Sequence, residues 1–200
     1  MFVALLDTCV LWPGLQRDFL LSLAAEGMYR PVWNAVILEE LEYSQIKQLT
    51  GRGEEPAEAG RRAAFLIAEM RRAFQDAEVA GWERLDGSFD LPDRNDEHVV
   101  AAAVVAGAGA IVTDNIRDFP STMVPPGLEV ITPRQFAADT VDVDPTRAMD
   151  AVTAIATRSG RRGVVLTEDG VLDALVRRYR MIEAVDLIRS GRNPTTDPRA

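Results

Sequence analysis

Asp7 follows the apolar run of residues 2–6, and Asp114 follows the apolar run of residues 110–113. Asp93 and Asp96 stand at the start of an alanine-rich segment that reaches about Ala106, and Glu39 and Glu40 lie on an apolar-periodic segment behind Asn34. Carboxylates therefore recur at one kind of place, the end of a strand-like run or the beginning of a helix beside it. In an open parallel sheet those places share one edge, because ligands gather outside the carboxyl ends of the strands. Like charges collected there raise one another's pKa unless a cation neutralises them. With one cysteine (Cys9) and one histidine (His98) in the chain, an internal disulfide, a multi-cysteine zinc site and a His-rich metal site are excluded. Any metal must then be held by oxygen, which suits Mg²⁺ or Mn²⁺. Mg²⁺ commonly takes one or two carboxylates, keeps several waters and lets a substrate phosphate complete its shell. Such a site can activate a water and stabilise the leaving oxygen in phosphodiester hydrolysis.

Each acid also has a structural reading. Asp93 after Leu91-Pro92 is a good helix N-cap, and Asp96 three residues on falls in the first turn, where the helix dipole favours anions. Glu39, Glu40 and Glu42 fit a solvated helix face. Asp114, Asn115 and Asp118 all favour turns. Asp7 has no cap or ion-pair partner nearby in sequence, so its reading leans to chemistry. His98 reads as a helix-surface or partly buried side chain, and Cys9 as a small core residue.

The elements that must position these acids follow from periodicity and punctuation. Residues 2–6 suit a buried parallel strand. Residues 14–26 have helical spacing (Leu15, Phe19, Leu20, Leu23) and close at Gly27. Tyr29 to Trp33 reads as a second strand, with Asn34 capping a helix that carries Val36, Ile37, Leu38 and Leu41. GRGEEP at 51–56 is a loop, and 57–75 is a helix with Ala63, Leu66, Ile67, Met70 and Phe74 on one face. Val79 to Leu85 reads as another strand, followed by the alanine-rich helix and strands at 110–113 and 128–131. Helices alternating with short apolar strands require a parallel sheet between helical layers. The fold class expected is α/β, a three-layer α/β/α sandwich, with a small mainly helical C-terminal extension.

A chain of 200 residues needs no staples to build a core. Residues 1–144 carry 12 Lys and Arg against 24 acids, whereas 145–200 carry 10 Arg against 7 acids. The acidic part is a poor general nucleic-acid binder, because phosphate contacts need cations. The charge shift and the ADTVDVDPT stretch set the expected organisation: a domain at 1–137, a linker at 138–146 and a helical region at 147–200. Within that region 147–157 is amphipathic, VVL at 164–166 is a short apolar run, and 171–189 is helical with one break. Arg158, Arg161, Arg162, Arg177, Arg178 and Arg180 are either solvated or a phosphate-tracking face. No apolar stretch spans a bilayer, the N-terminus lacks the basic start of a signal peptide, and the cysteine usage suits a reducing, cytoplasmic address.

Several segments resemble one known family. LLDTCV at 5–10, ILEEL at 37–41, DRNDEHVVAAAVVAGAGAIVTDNIRDFP at 93–120 and LEVITPRQF at 128–136 are similar to the PIN-domain nucleases, most of all to the VapC-type toxins of bacterial toxin–antitoxin pairs. The resemblance covers about residues 1–137 and is most specific from Asp93 to Pro120. It implies an α/β/α fold and three or four acids binding Mg²⁺ or Mn²⁺. It also implies an endoribonuclease acting on RNA, a small cognate antitoxin as partner, and a homodimer. Carried over by motif, Asp7 and Asp96 hold the metal, with Asp93 as an adjacent candidate for the latter role. Asp114 or Asn115 ligates the metal or orients one of its waters, and Glu40 positions or deprotonates the attacking water. Arg117 approaches a phosphate or stays in a surface pair. The chain departs from the toxin pattern at Asn115, where an Asp is usual; Asp114 and Asp118 are the candidates for a displaced fourth acid. Two other classes compete: a catalytically degenerate PIN-like module that binds protein or RNA, and a phosphoryl-transfer enzyme with Asp7 as nucleophile. The second lacks the customary second Asp, since Cys9 stands there, and has only Lys47 as a lysine.

Overall fold

The computed structural model describes residues 1–160 and 164–192. In chain order its elements are β1 (Val3–Leu6), α1 (Thr8–Leu11), α2 (Gly14–Ala25), β2 (Arg30–Val32), α3 (Ala35–Gly51), α4 (Pro56–Ala73), α5 (Glu97–Ala106), β3 (Ala110–Val112), β4 (Glu129–Ile131), α6 (Pro133–Val143), α7 (Pro145–Arg158), α8 (Glu168–Tyr179) and α9 (Ile182–Arg192). They fall into two compact units, one of residues 1–14 and 30–132, the other of 15–29 together with the chain from 133 onward.

The first unit is built on a four-stranded, all-parallel sheet of order β2-β1-β3-β4, the sheet of an α/β/α fold. Its registers pair Leu5 with Val32 and with Ile111, and Ile111 with Val130. The chain leaves β1 toward one neighbour, β2, and returns on the other side as β3. The crevice at the carboxyl ends of β1 and β3 is therefore a topological switch point. Ladder bonds run one residue beyond the strands, with Asp7 N–H donating to Val112 O at 3.1 Å and Thr113 N–H to Ile131 O at 3.0 Å. Leu5, Leu6, Ile111 and Val112 are fully buried. Helix α5 lies on β1 and β3. Its Ala101, Ala102 and Ala103 are fully buried, and their small side chains allow a close approach to the strands. The helix ends where Gly107 adopts a left-handed φ of 61°, a conformation glycine takes without steric cost. Asn34 caps α3 as expected, accepting from Ile37 N–H at 2.9 Å.

Two expectations differ here. Val79–Leu85 is not a strand: a single parallel bridge joins Trp33 to Glu78, and Trp82–Arg84 form a 3₁₀ turn. Gly81, at φ 81°, breaks the run after two apolar residues and turns Trp82 inward, where it meets His98 edge-on. Asp93 does not cap α5 either. It caps the 3₁₀ turn Arg94–Asp96, accepting from Asn95 N–H at 2.9 Å, and Asp96 holds the N-cap position of α5 without a capping bond.

The second unit is helical. Tyr29 donates to Leu20 O at 3.0 Å and meets Phe136 edge-on at 4.7 Å, while Arg158 donates to Ser22 Oγ at 2.6 Å. Val141, Val152, Leu172, Leu175, Val185 and Ile188 are fully buried. The stretch 138–146, expected as a linker, is the last part of α6, the cap Asp144 (accepting from Arg147 N–H at 3.0 Å) and the first turn of α7. Its acids stay at the surface while Ala138 and Val141 are buried, so a polar composition conceals an amphipathic helix. The break expected within 171–189 is Arg180, at φ 57°. Val164 and Val165 are exposed outside any strand, and Arg161 and Arg162 lie outside the described residues. Among the described residues no helix is long and apolar enough to cross a membrane.

Candidate active site

Asp7 ends β1 and caps α1. Its Oδ1 accepts from Thr8 N–H at 2.6 Å, and its Oδ2 accepts from Thr113 Oγ1 at 2.6 Å and from Cys9 Sγ at 3.1 Å. Thr113 follows β3, so a hydrogen bond between residues 106 apart in sequence locks the two strand ends together. Only 7% of Asp7 remains exposed. Cys9 is a donor in this network. Burial and the neighbouring Asp7 carboxylate push its thiol up to about 12, so it stays protonated and is no nucleophile.

Glu40 reaches the same place from α3. Its Oε2 accepts from Thr8 Oγ1 at 2.5 Å, and its Oε1 is 3.9 Å from His98 Nε2. Asp96 enters from the start of α5. It is half-buried, and desolvation followed by the negative charges of Asp7, Asp93, Asp118 and Glu40 raises its carboxyl to about 6. These groups line an open cavity of about 370 Å³ formed by Asp7, Thr8, Cys9, Trp12, Glu40, Ser44, Asp96 and Asn115.

Four of the site residues expected from sequence, Asp7, Glu40, Asp96 and Asn115, thus line one cavity. Asp114 does not: it is exposed, and its backbone N–H donates to Cys9 Sγ at 3.3 Å. The residue after a strand end alternates in direction, and Asn115, whose N–H donates to Thr113 Oγ1 at 3.0 Å, is turned to the cavity instead. Asp118 is near enough for Asp96 to feel its charge. Glu39 is exposed and acts on Arg71 of α4, and Arg117 is exposed outside the cavity lining.

Three contributors are not visible in sequence patterning. His98 is buried, against Trp82, and desolvation lowers its pKa. Glu97 is almost fully buried and accepts from Phe89 N–H at 2.9 Å and Leu91 N–H at 2.8 Å, tying the preceding loop to the start of α5. Trp12 is 40% exposed at the cavity rim, with its carbonyl held by Gln45 Nε2 at 3.2 Å. Nothing in the spacing of a lone histidine, an acid in a helical first turn or an indole beside a proline announces these positions.

The donors are hard oxygens, among the described residues no Lys or Arg lines the cavity, and Asp96 carries the strain of desolvation and of uncompensated carboxylates. That chemistry fits a divalent cation. Among the described residues, no three His, Cys, Asp or Glu side chains stand close enough to share a metal ion. The fit is therefore to an ion that keeps most of its waters and takes one or two carboxylates directly.

Comparison with curated proteins and with solved structures finds no match. Residues 3–117, more than half of the chain, match the PIN domain family, and every residue of the cavity lies inside that span. The chain, whose parallel sheet collects acids from the end of β1, from α3 and from the start of α5 at one switch point, belongs to the PIN domain family, whose members are typically metal-dependent nucleases.

Proposed function

We propose that this protein is a Mg²⁺- or Mn²⁺-dependent endoribonuclease, acting in the cytoplasm as the toxin of a toxin–antitoxin pair and silenced by a small cognate antitoxin. One observation carries the catalytic part: carboxylates from three separate segments line a single cavity whose wall, among the described residues, has no cationic side chain. The toxin part is supported by the similarity of the Asp93–Pro120 segment to VapC-type toxins.

Asp7 and Asp96 would hold the ion, with Asn115 beside them to orient a water of its shell. A bound divalent ion supplies charge compensation and a more acidic water. Thr8, Thr113 and Cys9 hold the Asp7 carboxylate in one orientation, which is how outer groups keep a ligand preorganised. Glu40, exposed to the cavity and anchored through Thr8, takes the proton of the attacking water. The acidic wall repels a polyanion, so affinity must also come from an uncharged contact. The exposed indole of Trp12 offers one, a face on which an unpaired base stacks.

Asn115 in place of an acid favours a second reading, a catalytically degenerate PIN-like module that binds a protein or RNA partner. Cleavage of total RNA by the purified protein, with Mg²⁺ or Mn²⁺ and with EDTA, separates the two. Asp7→Asn and Asp96→Asn, purified identically, run alongside. Metal-dependent cutting lost in both variants is the expected result. Equal cutting by wild type and variants refutes the site, and no cutting by a folded protein that binds no metal favours the degenerate module.

A further inference from the structure

The cap of α3 determines the protonation pattern of the only histidine. Asn34 is fully buried, and its Oδ1 is committed to Ile37 N–H at 2.9 Å. The other end of the amide is therefore Nδ2, a donor. It lies 3.0 Å from His98 O and 3.1 Å from His98 Nδ1. A ring nitrogen facing an N–H accepts and carries no proton, so the proton of His98 is on Nε2. That atom is 3.9 Å from Glu40 Oε1, while the other oxygen of Glu40 accepts from Thr8 Oγ1 at 2.5 Å. Asn34 and Glu40 belong to the same helical segment, and His98, on α5, bridges them.

We propose that His98, with its proton fixed on Nε2 by Asn34, is a positioning residue that aligns the Glu40 carboxylate from the side opposite Thr8. The inference rests on the reading of Glu40 as the group that takes the proton of the attacking water. An arginine or lysine in this place would pair with Glu40 and weaken it as a base. A neutral imidazole N–H orients the carboxylate and leaves its charge available. The 3.9 Å separation closes by a side-chain adjustment of the exposed Glu40, as hydrogen bonds of catalytic groups do when substrate is bound.

Because His98 is the sole histidine, long-range ¹H–¹⁵N spectra of the uniformly labelled, untagged protein report this ring alone. The expected spectrum has a protonated Nε2 and an unprotonated Nδ1, and Glu40→Ala moves the Nε2 resonance whereas Glu39→Ala does not. A proton on Nδ1, or an Nε2 resonance indifferent to Glu40→Ala, overturns the proposal. That readout is independent of cleavage, so a wild type that cuts no RNA removes the nuclease reading while the spectrum still decides the pair. In the cleavage assay His98→Asn, which keeps a partner for Asn34 but has no atom at the Nε2 position, lowers kcat by about 10- to 100-fold with KM little changed. His98→Gln, whose amide N–H reaches that position, recovers most of the loss. Equal losses in both variants at equal Tm also overturn it.

Discussion

Removing the carboxylate of Asp96 should stabilise the metal-free protein. Asp96 titrates at about 6 instead of 3.8 because it is partly desolvated and faces Asp7, Asp93, Asp118 and Glu40. The folded chain therefore holds this proton more tightly than the unfolded chain does. Below the unfolded pKa both states are protonated and nothing is lost; the folded state loses stability as pH rises through this window, and the loss is complete above about 6. At full strength such a shift is worth about 3 kcal/mol. Asp96 is half-exposed, so water screens much of that. The N-terminal dipole of α5 also favours the anion by about 0.5 kcal/mol. About 1 kcal/mol remains, or about 2–4 °C in Tm for a chain of this size. Asp96 makes no capping hydrogen bond, so Asp96→Asn sacrifices none. The assay is thermal unfolding in EDTA at about pH 7.5 and about pH 3, on either side of that window. Asp96→Asn should melt above wild type at the higher pH and level with it at the lower. Saturating Mg²⁺ or Mn²⁺ should reverse the order at the higher pH, since an ion at a hundred times its Kd adds about 2.7 kcal/mol to whichever protein binds it. A variant that melts level with or below wild type in EDTA at both pH values would refute the argument that these carboxylates are held together against their repulsion.

Three further predictions follow from the same geometry. Glu97→Ala leaves Phe89 N–H and Leu91 N–H without their acceptor and should cost about 3 kcal/mol, read as a lower urea midpoint, with Glu97→Gln in between. Arg180→Gly, at a left-handed position between α8 and α9, should gain about 0.5–1 kcal/mol and raise Tm; a lower Tm would contradict the backbone-strain account. Trp12→Ala should weaken binding of a short single-stranded RNA by about 5- to 150-fold, from a stacking energy of about 1–3 kcal/mol, with Trp12→Phe losing less. The RNA should quench intrinsic fluorescence in wild type far more than in Trp12→Phe, because Trp33 and Trp82 are buried.

Much of the framework was legible in the chain itself. The strand-like runs ending at Asp7 and at Thr113, the capping role of Asn34, the glycine stop after Ala106 and the break near Arg180 are local features, set by residues that are neighbours in sequence. What failed were readings in which local composition competed with packing. Val79–Leu85 yielded its strand character to a buried Trp82, and the acidic 138–146 stretch proved to be helix because Ala138 and Val141 share a buried face with Phe136 and Ala137. Residues 15–29 join the C-terminal helices in one compact unit, a grouping that no boundary drawn along the chain expresses.

The sequence alone determined that any metal must be met by oxygen and that the acids cluster near strand ends and helix starts; its reading of Asp7 as an acid without a local cap was overturned, because Asp7 caps α1 through Thr8 N–H. The tertiary structure alone decided which acids meet. The register of β1 against β3 brings Thr113 onto Asp7, the turn after β3 directs Asn115 rather than Asp114 to the cavity, and the cap residue of α3 meets His98 across 64 residues of sequence. Periodicity and punctuation act over a few residues, whereas a carboxylate's partners are chosen by strand pairing and helix packing between segments up to about a hundred residues apart.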